Sequence, residues 1–136
     1  METARVREYL ETHHRGVLAT RRKDGSPQLS PVSCALNAEG DVVISTREGA
    51  MKTRNTRREP HVSLCVMDDR FFGEWVQLDG TADVVSLPEA MDGLVDYYRR
   101  VAGEHPNWDE YREAMERERR VLLVVRIERA GPDRSG

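Results

Sequence analysis

The run Ile44-Ser-Thr-Arg-Glu-Gly-Ala-Met-Lys-Thr-Arg-Asn55 carries the densest chemistry in the chain. A β-branched stretch leads into two hydroxyl residues, a glycine, and then a basic sequence of helix formers. Where a strand ends and a helix begins, backbone N–H groups lack intrahelical partners and the helix dipole leaves partial positive charge. Lysine and arginine beside such groups make a cradle for phosphate. Ser45, Thr46, Lys52 and Asn55 are the expected phosphate ligands. By composition alone the same residues also describe a solvated charged helix with no ligand, which is the more ordinary use of such a run.

Charge distribution sharpens the contrast. Arg47, Lys52, Arg54, Arg57 and Arg58 stand against Glu48 alone, so residues 47–58 carry +4 in a chain of net charge −3, and the remainder carries −7. An acidic protein with one local basic site is not built to hold nucleic acid along a broad face. Metal chemistry is not expected either, because His13, His14, His61 and His105 have no metal-ligand spacing with one another or with cysteine. Cys34 and Cys65 sit in apolar strand-like runs and read as buried, reduced thiols. The chain has no Gly-x-Ser-x-Gly elbow, no Walker A loop and no Gly-x-Gly-x-x-Gly. The N-terminus lacks a secretory pattern, and no apolar stretch approaches the ~20 residues of a membrane helix, so a cytoplasmic protein is expected.

The elements around the basic run follow from periodicity. Val6, Tyr9, Leu10 and His13 have the spacing of one helical face within residues 2–14. Strands are expected at 16–20, 28–36, 42–44, 61–67, 75–85 and 121–127, with Asp24-Gly25 and Asn37–Gly40 supplying turns. The run 42–44 should be a central strand, and the first three strands should pair consecutively. Gly80 marks a bulge or a close backbone approach. Helices are expected over 50–59, stopped by Pro60, then from a Ser86/Glu89 capping box to Gly103, and over 106–119. Six short antiparallel strands with inserted helices predict one α+β domain, residues 1–130, built on a barrel, with 131–136 as a disordered tail. Val121–Val125 and Trp75–Val85 offer more apolar surface than one small barrel covers, which predicts an obligate homodimer.

Several ordered segments resemble the pyridoxamine-phosphate-oxidase-like superfamily: Gly16-Val-Leu-Ala-Thr20, Asp24-Gly-Ser-Pro-Gln-Leu-Ser-Pro-Val32, Ile44-Ser-Thr46, and Lys52-Thr-Arg-Asn55 followed by Arg58-Glu-Pro-His-Val-Ser-Leu64. Asp79-Gly-Thr-Ala82, Tyr98–His105, Trp108–Tyr111 and Arg119–Leu123 are similar to its F420-dependent branch. The resemblance spans about residue 6 to residue 128. It implies a split β-barrel homodimer with the cofactor at the subunit interface. It also implies Gln28 and Ser30 against the cofactor ring, Ser45 and Thr46 at ring and ribityl groups, and Lys52 and Asn55 on the phosphate. Phe72 would reach the ring edge from the other subunit. Ala50 departs from the branch, which often has Arg there; Arg47 and Arg54 are positioned to compensate.

The implied function is an F420-dependent reductase delivering hydride to a small unsaturated substrate, with no conventional catalytic residue required. The phosphate and glutamates of F420 suit five basic residues better than the single phosphate of FMN does. The alternatives are an FMN-dependent oxidoreductase, possibly one acting on pyridoxamine phosphate, and a non-catalytic protein that carries F420 or binds haem.

Overall fold

A computed structural model describes residues 1–135. Thr3–Leu10 forms α1, followed by β1 (Arg15–Arg21), β2 (Pro27–Ser33), β3 (Ala35–Leu36) and β4 (Val42–Arg47). Then come α2 (Met51–Arg58), β5 (His61–Met67), β6 (Trp75–Val85), α3 (Met91–Ala102), α4 (Trp108–Arg117) and β7 (Arg120–Asp133). All strands join one antiparallel sheet in the order β2-β1-β5-β6-β7-β4-β3. Its two edge strands, β2 and β3, are separated in the chain by Cys34 alone, so the sheet has to curl until its edges meet. The result is a split half-barrel with four peripheral helices.

Seven strands replace the expected six because residues 28–36 do not form one strand. The backbone N–H of Cys34 donates to the His14 carbonyl (2.8 Å), and the His14 ring Nδ1 donates to the Cys34 carbonyl (2.9 Å). Both ladder groups of Cys34 are thus spent on His14, and the chain changes partners there: β2 pairs with β1, while β3 pairs with β4. The first strands therefore do not pair consecutively as expected. β4 is internal, between β7 and β3, but only one place from the edge.

The barrel interior collects Leu18, Ile44, Leu64, Val66, Leu78, Leu123 and Val125, with Val6 and Leu10 of α1 closing one mouth. A second apolar cluster lies outside the sheet, where Leu94, Val95, Tyr111 and Met115 of α3 and α4 cover Ala35, Val43 and Leu122. The Leu122–Val125 stretch of β7 is therefore covered on both faces within the chain. This removes the apolar surplus over Val121–Val125 as an argument for a partner subunit, since the helices already cover it.

Gly80 behaves as its position predicts. A Cβ there would lie 2.1 Å from the Arg126 carbonyl, and the β6–β7 register shifts between Asp79 and Gly80. Gly25 turns the β1–β2 hairpin at φ +87, a conformation that side chains rarely adopt. Two expectations are corrected. The Ser86 capping box does not form: residues 87–90 are a turn, Ala90 is the N-cap of α3, and the Ser86 hydroxyl accepts instead from Arg57 (3.1 Å). Residues 131–133, expected in a disordered tail, belong to β7, with Asp133 opposite Val76; Gly136 of that tail lies outside the described residues.

Candidate functional site

α2 crosses the second mouth of the barrel, from the end of β4 to the start of β5. The side-chain hydroxyl of Thr53 donates to the Arg47 carbonyl (2.7 Å) and so fixes the helix start against the strand end. No side chain caps this helix; Ala50 holds the N-cap position. The N–H groups of Met51 and Lys52, in the first turn, have no intrahelical acceptor. They leave two backbone donors at the helix start.

The basic residues divide into two sets. Arg57 donates to both carboxylate oxygens of Glu48 (2.7 and 2.9 Å), Arg47 pairs with Glu118 (3.3 Å), and Arg58 donates to the Arg21 carbonyl (2.7 Å) and to Asn55 Oδ1 (2.8 Å). Hydrogen bonding from Arg120 first, and then from Arg47, holds the Glu118 carboxyl below its ordinary range. Lys52, half-buried, and Arg54, exposed, make no ion pair among the described residues. The +4 run therefore presents two uncommitted cations rather than five.

Asn55 is 1% exposed, and its Nδ2 donates to Thr20 Oγ1 (3.1 Å) and Gln28 Oε1 (3.0 Å). Expected as a phosphate ligand, it is instead an internal tie between α2, β1 and β2. Gln28 and Ser30 lie on β2 opposite Thr20 and Leu18, on the barrel-facing side and beside the split where β2 touches β4. Adjacent strand residues point to opposite faces. Thr46, 2% exposed, accordingly shares the inner face with Ile44, whereas Ser45 shares the outer face with Val43. One ligand in one chain does not meet both side chains from the same face.

Phe72 is not brought to this mouth. Arg15, at the start of β1, pairs with Asp69 of the β5–β6 turn (3.4 Å), while Arg58 meets Arg21 at the far end of β1. The length of that strand, roughly 20 Å, separates them. Phe72 is 94% exposed and Phe71 packs edge-on against it. A cavity of about 260 Å³ also lies at the α1 mouth, lined by Arg5, Tyr9, His13 and Trp75. Both thiols are unpaired, and burial pushes Cys34 up to about 12 and raises Cys65.

The α2 mouth thus offers donors: two backbone N–H groups, an ammonium, a guanidinium and the Gln28 amide. The nearby carboxylates are paired, Glu48 with Arg57 and Glu118 with Arg47 and Arg120. This donor set fits a phosphate-bearing group. The roles of Arg58 and Thr20 as partners of Asn55 appear only in the fold, although Arg58 stands three residues after Asn55, the spacing at which helical side chains meet.

A family model described as pyridoxamine 5'-phosphate oxidase matches residues 2–132. Among solved structures, a conserved hypothetical protein from Mycobacterium tuberculosis is 25% identical with a TM-score of 0.76, the match covering 96% of this chain and 82% of that one. An F420 reductase is 27% identical with a TM-score of 0.67, covering 91% and 94%. A heme binding protein from Mycobacterium smegmatis shares the fold at 21% identity and a TM-score of 0.71, covering 96% and 53%.

Proposed function

The chain belongs to the pyridoxamine 5'-phosphate oxidase family, whose members bind flavin-type cofactors, and from that premise we propose that it is an F420-dependent oxidoreductase acting on a small unsaturated substrate. The observation that carries the proposal is the open start of α2, where Lys52 and Arg54 are uncommitted beside two N–H groups. The likeness to an F420 reductase over nearly the whole of both chains supports this cofactor.

Bound and reduced, F420 supplies hydride to an electron-poor carbon. The protein's part is binding and orientation. Lys52 and the N–H groups of Met51 and Lys52 hold the phosphate, Arg54 adds charge toward the tail, and Gln28 with Ser30 faces the ring. Buried Thr46 and Asn55 lie in the layer behind them. No side chain is assigned to proton transfer.

One observation favours FMN as the second reading. With Arg47, Arg57 and Arg58 engaged inside the chain, the remaining cations match one phosphate as well as they match a longer anion. Fluorescence titration of the purified protein with F420 and FMN side by side separates the two. Tighter F420 binding supports the proposal; tighter FMN binding transfers the site to the flavin, and binding of neither removes it.

The proposed working form is a homodimer. Val17, Ala19, Cys65 and Met67 lie on the outer sheet face and belong to neither apolar cluster, and Leu29 beside them is 65% exposed. Phe72 can approach an α2 mouth only in another chain. Sedimentation at micromolar concentration is expected to give about twice 15.6 kDa; a monomer that still binds cofactor would contradict it.

A further inference from the structure

The buried amides behind α2 carry a direction. A guanidinium only donates hydrogen bonds, so the Asn55 atom facing Arg58 Nη2 at 2.8 Å has to be its oxygen. The Asn55 NH2 group then faces Thr20 Oγ1 and Gln28 Oε1. An NH2 group likewise only donates, so the Gln28 atom that meets it has to be its oxygen. Gln28 Nε2 is thereby turned away from the network, and among the described residues it makes no hydrogen bond. Gln28 is half-buried on the edge strand that borders the split. Side-chain amides are otherwise ambiguous about which end is oxygen; here an arginine decides for both of them. Arg58 is itself pinned, because the same nitrogen donates to the Arg21 carbonyl.

We propose that Arg58 and Asn55 are positioning residues that set the hydrogen-bonding polarity of the cofactor site. They oblige Gln28 to present a donor, so the ligand edge facing Gln28 is an acceptor, a carbonyl oxygen or an unprotonated ring nitrogen. This assignment rests on the flavin-type reading of the site. It also commits one nitrogen of Arg58 to the network behind the site. The relay explains why a helix plug so close to solvent buries an amide at all.

Asn55→Asp tests the direction with little change of shape. The carboxylate still accepts from Arg58, but it offers Gln28 an acceptor instead of a donor. Gln28 then rotates its NH2 inward and shows its oxygen to the split. In the ligand-free protein, side-chain amide hydrogen exchange followed by NMR is expected to find the Gln28 NH2 protons fast in wild type and protected in Asn55→Asp. Protons equally protected in both would overturn the relay, whatever the ligand.

Titration with F420 and with FMN then tests the consequence for binding. Facing an acceptor edge with an acceptor is expected to weaken affinity on the order of 10- to 100-fold in Asn55→Asp and in Gln28→Glu. In a Gln28→Met background, Asn55→Asp is expected to add little, because its effect passes through Gln28. An equal loss in both backgrounds, or wild-type affinity in Gln28→Glu, would overturn the proposal while leaving the cofactor reading intact. If wild type binds neither probe, the cofactor reading falls, and the ligand half of this proposal falls with it. Gln28→Glu keeps the test available should Asn55→Asp fail to fold, since it changes only a half-exposed group.

Discussion

The two barrel mouths are closed by helices of equal length and opposite chemistry. α1 and α2 each have eight residues, but α1 buries Val6 and Leu10 while α2 buries Thr53, Asn55 and Thr56. Apolar burial stabilises without regard to direction. A buried amide or hydroxyl is tolerated only when its partners sit at hydrogen-bonding geometry, and a misaligned one costs about 1–3 kcal/mol. The α1 mouth is therefore shut by a contact that many arrangements would satisfy. The α2 mouth is shut by one that accepts very few, which is what a ligand-holding helix start requires. Closing and aiming have been given to different ends of the same barrel.

Truncating each plug should separate the two roles. Leu10→Ala, which empties a fully buried site in the barrel, is expected to cost about 2–5 kcal/mol of stability. Urea denaturation measures it, and the folded fraction should keep wild-type cofactor affinity. A shift in affinity would mean that α1 also shapes the ligand end. Asn55→Ala leaves Gln28, Thr20 and Arg58 without their shared partner. It is expected to cost about 1–3 kcal/mol in the same assay, and unlike Leu10→Ala it should also weaken binding.

Lys52→Ala is the converse. A half-exposed helical lysine contributes within about 0.5 kcal/mol to folding, whereas a charge-assisted phosphate contact is worth about 1.5 kcal/mol or more, on the order of tenfold in affinity. Full cofactor affinity in a folded Lys52→Ala protein would remove the phosphate site. The smallest effect concerns salt. With Arg47 and Arg57 in ion pairs and Arg58 hydrogen-bonded inside the chain, F420 should lose affinity only slightly faster than FMN as salt rises to about 0.5 M, since exposed contacts contribute about 0.2–1 kcal/mol each. A steep F420 slope would mean that those arginines leave their partners for the tail.

Much of this arrangement is legible in the sequence wherever local chemistry decides it. Asp24-Gly25 specifies its turn, Gly80 announces a close approach, and the run from Arg47 to Arg58 announces a basic helix. The break at Cys34 is different, because it arises from closure: His14, twenty residues earlier in the chain, takes both ladder groups. The same holds at α2. That Asn55 is internal depends on Thr20 and Gln28, which lie 35 and 27 residues away. That Arg47 is not free depends on Glu118, 71 residues away. Counting charges along the chain therefore overstated the cations open to a ligand. Strand alternation could have warned that Ser45 and Thr46 face opposite sides. The place of Phe72 follows from resemblance alone, and its distance from α2 only appears once the length of β1 separates the two mouths.

Backbone amide shifts in a ¹H–¹⁵N NMR titration with F420 compare the two mouths in one experiment and test the phosphate site most directly. The predicted result is that the largest changes fall on Gly49, Met51 and Lys52 and on the Gln28 side chain, with Arg5, Tyr9, His13 and Trp75 around the α1 cavity unmoved. Changes centred on that cavity, with the start of α2 silent, would contradict it.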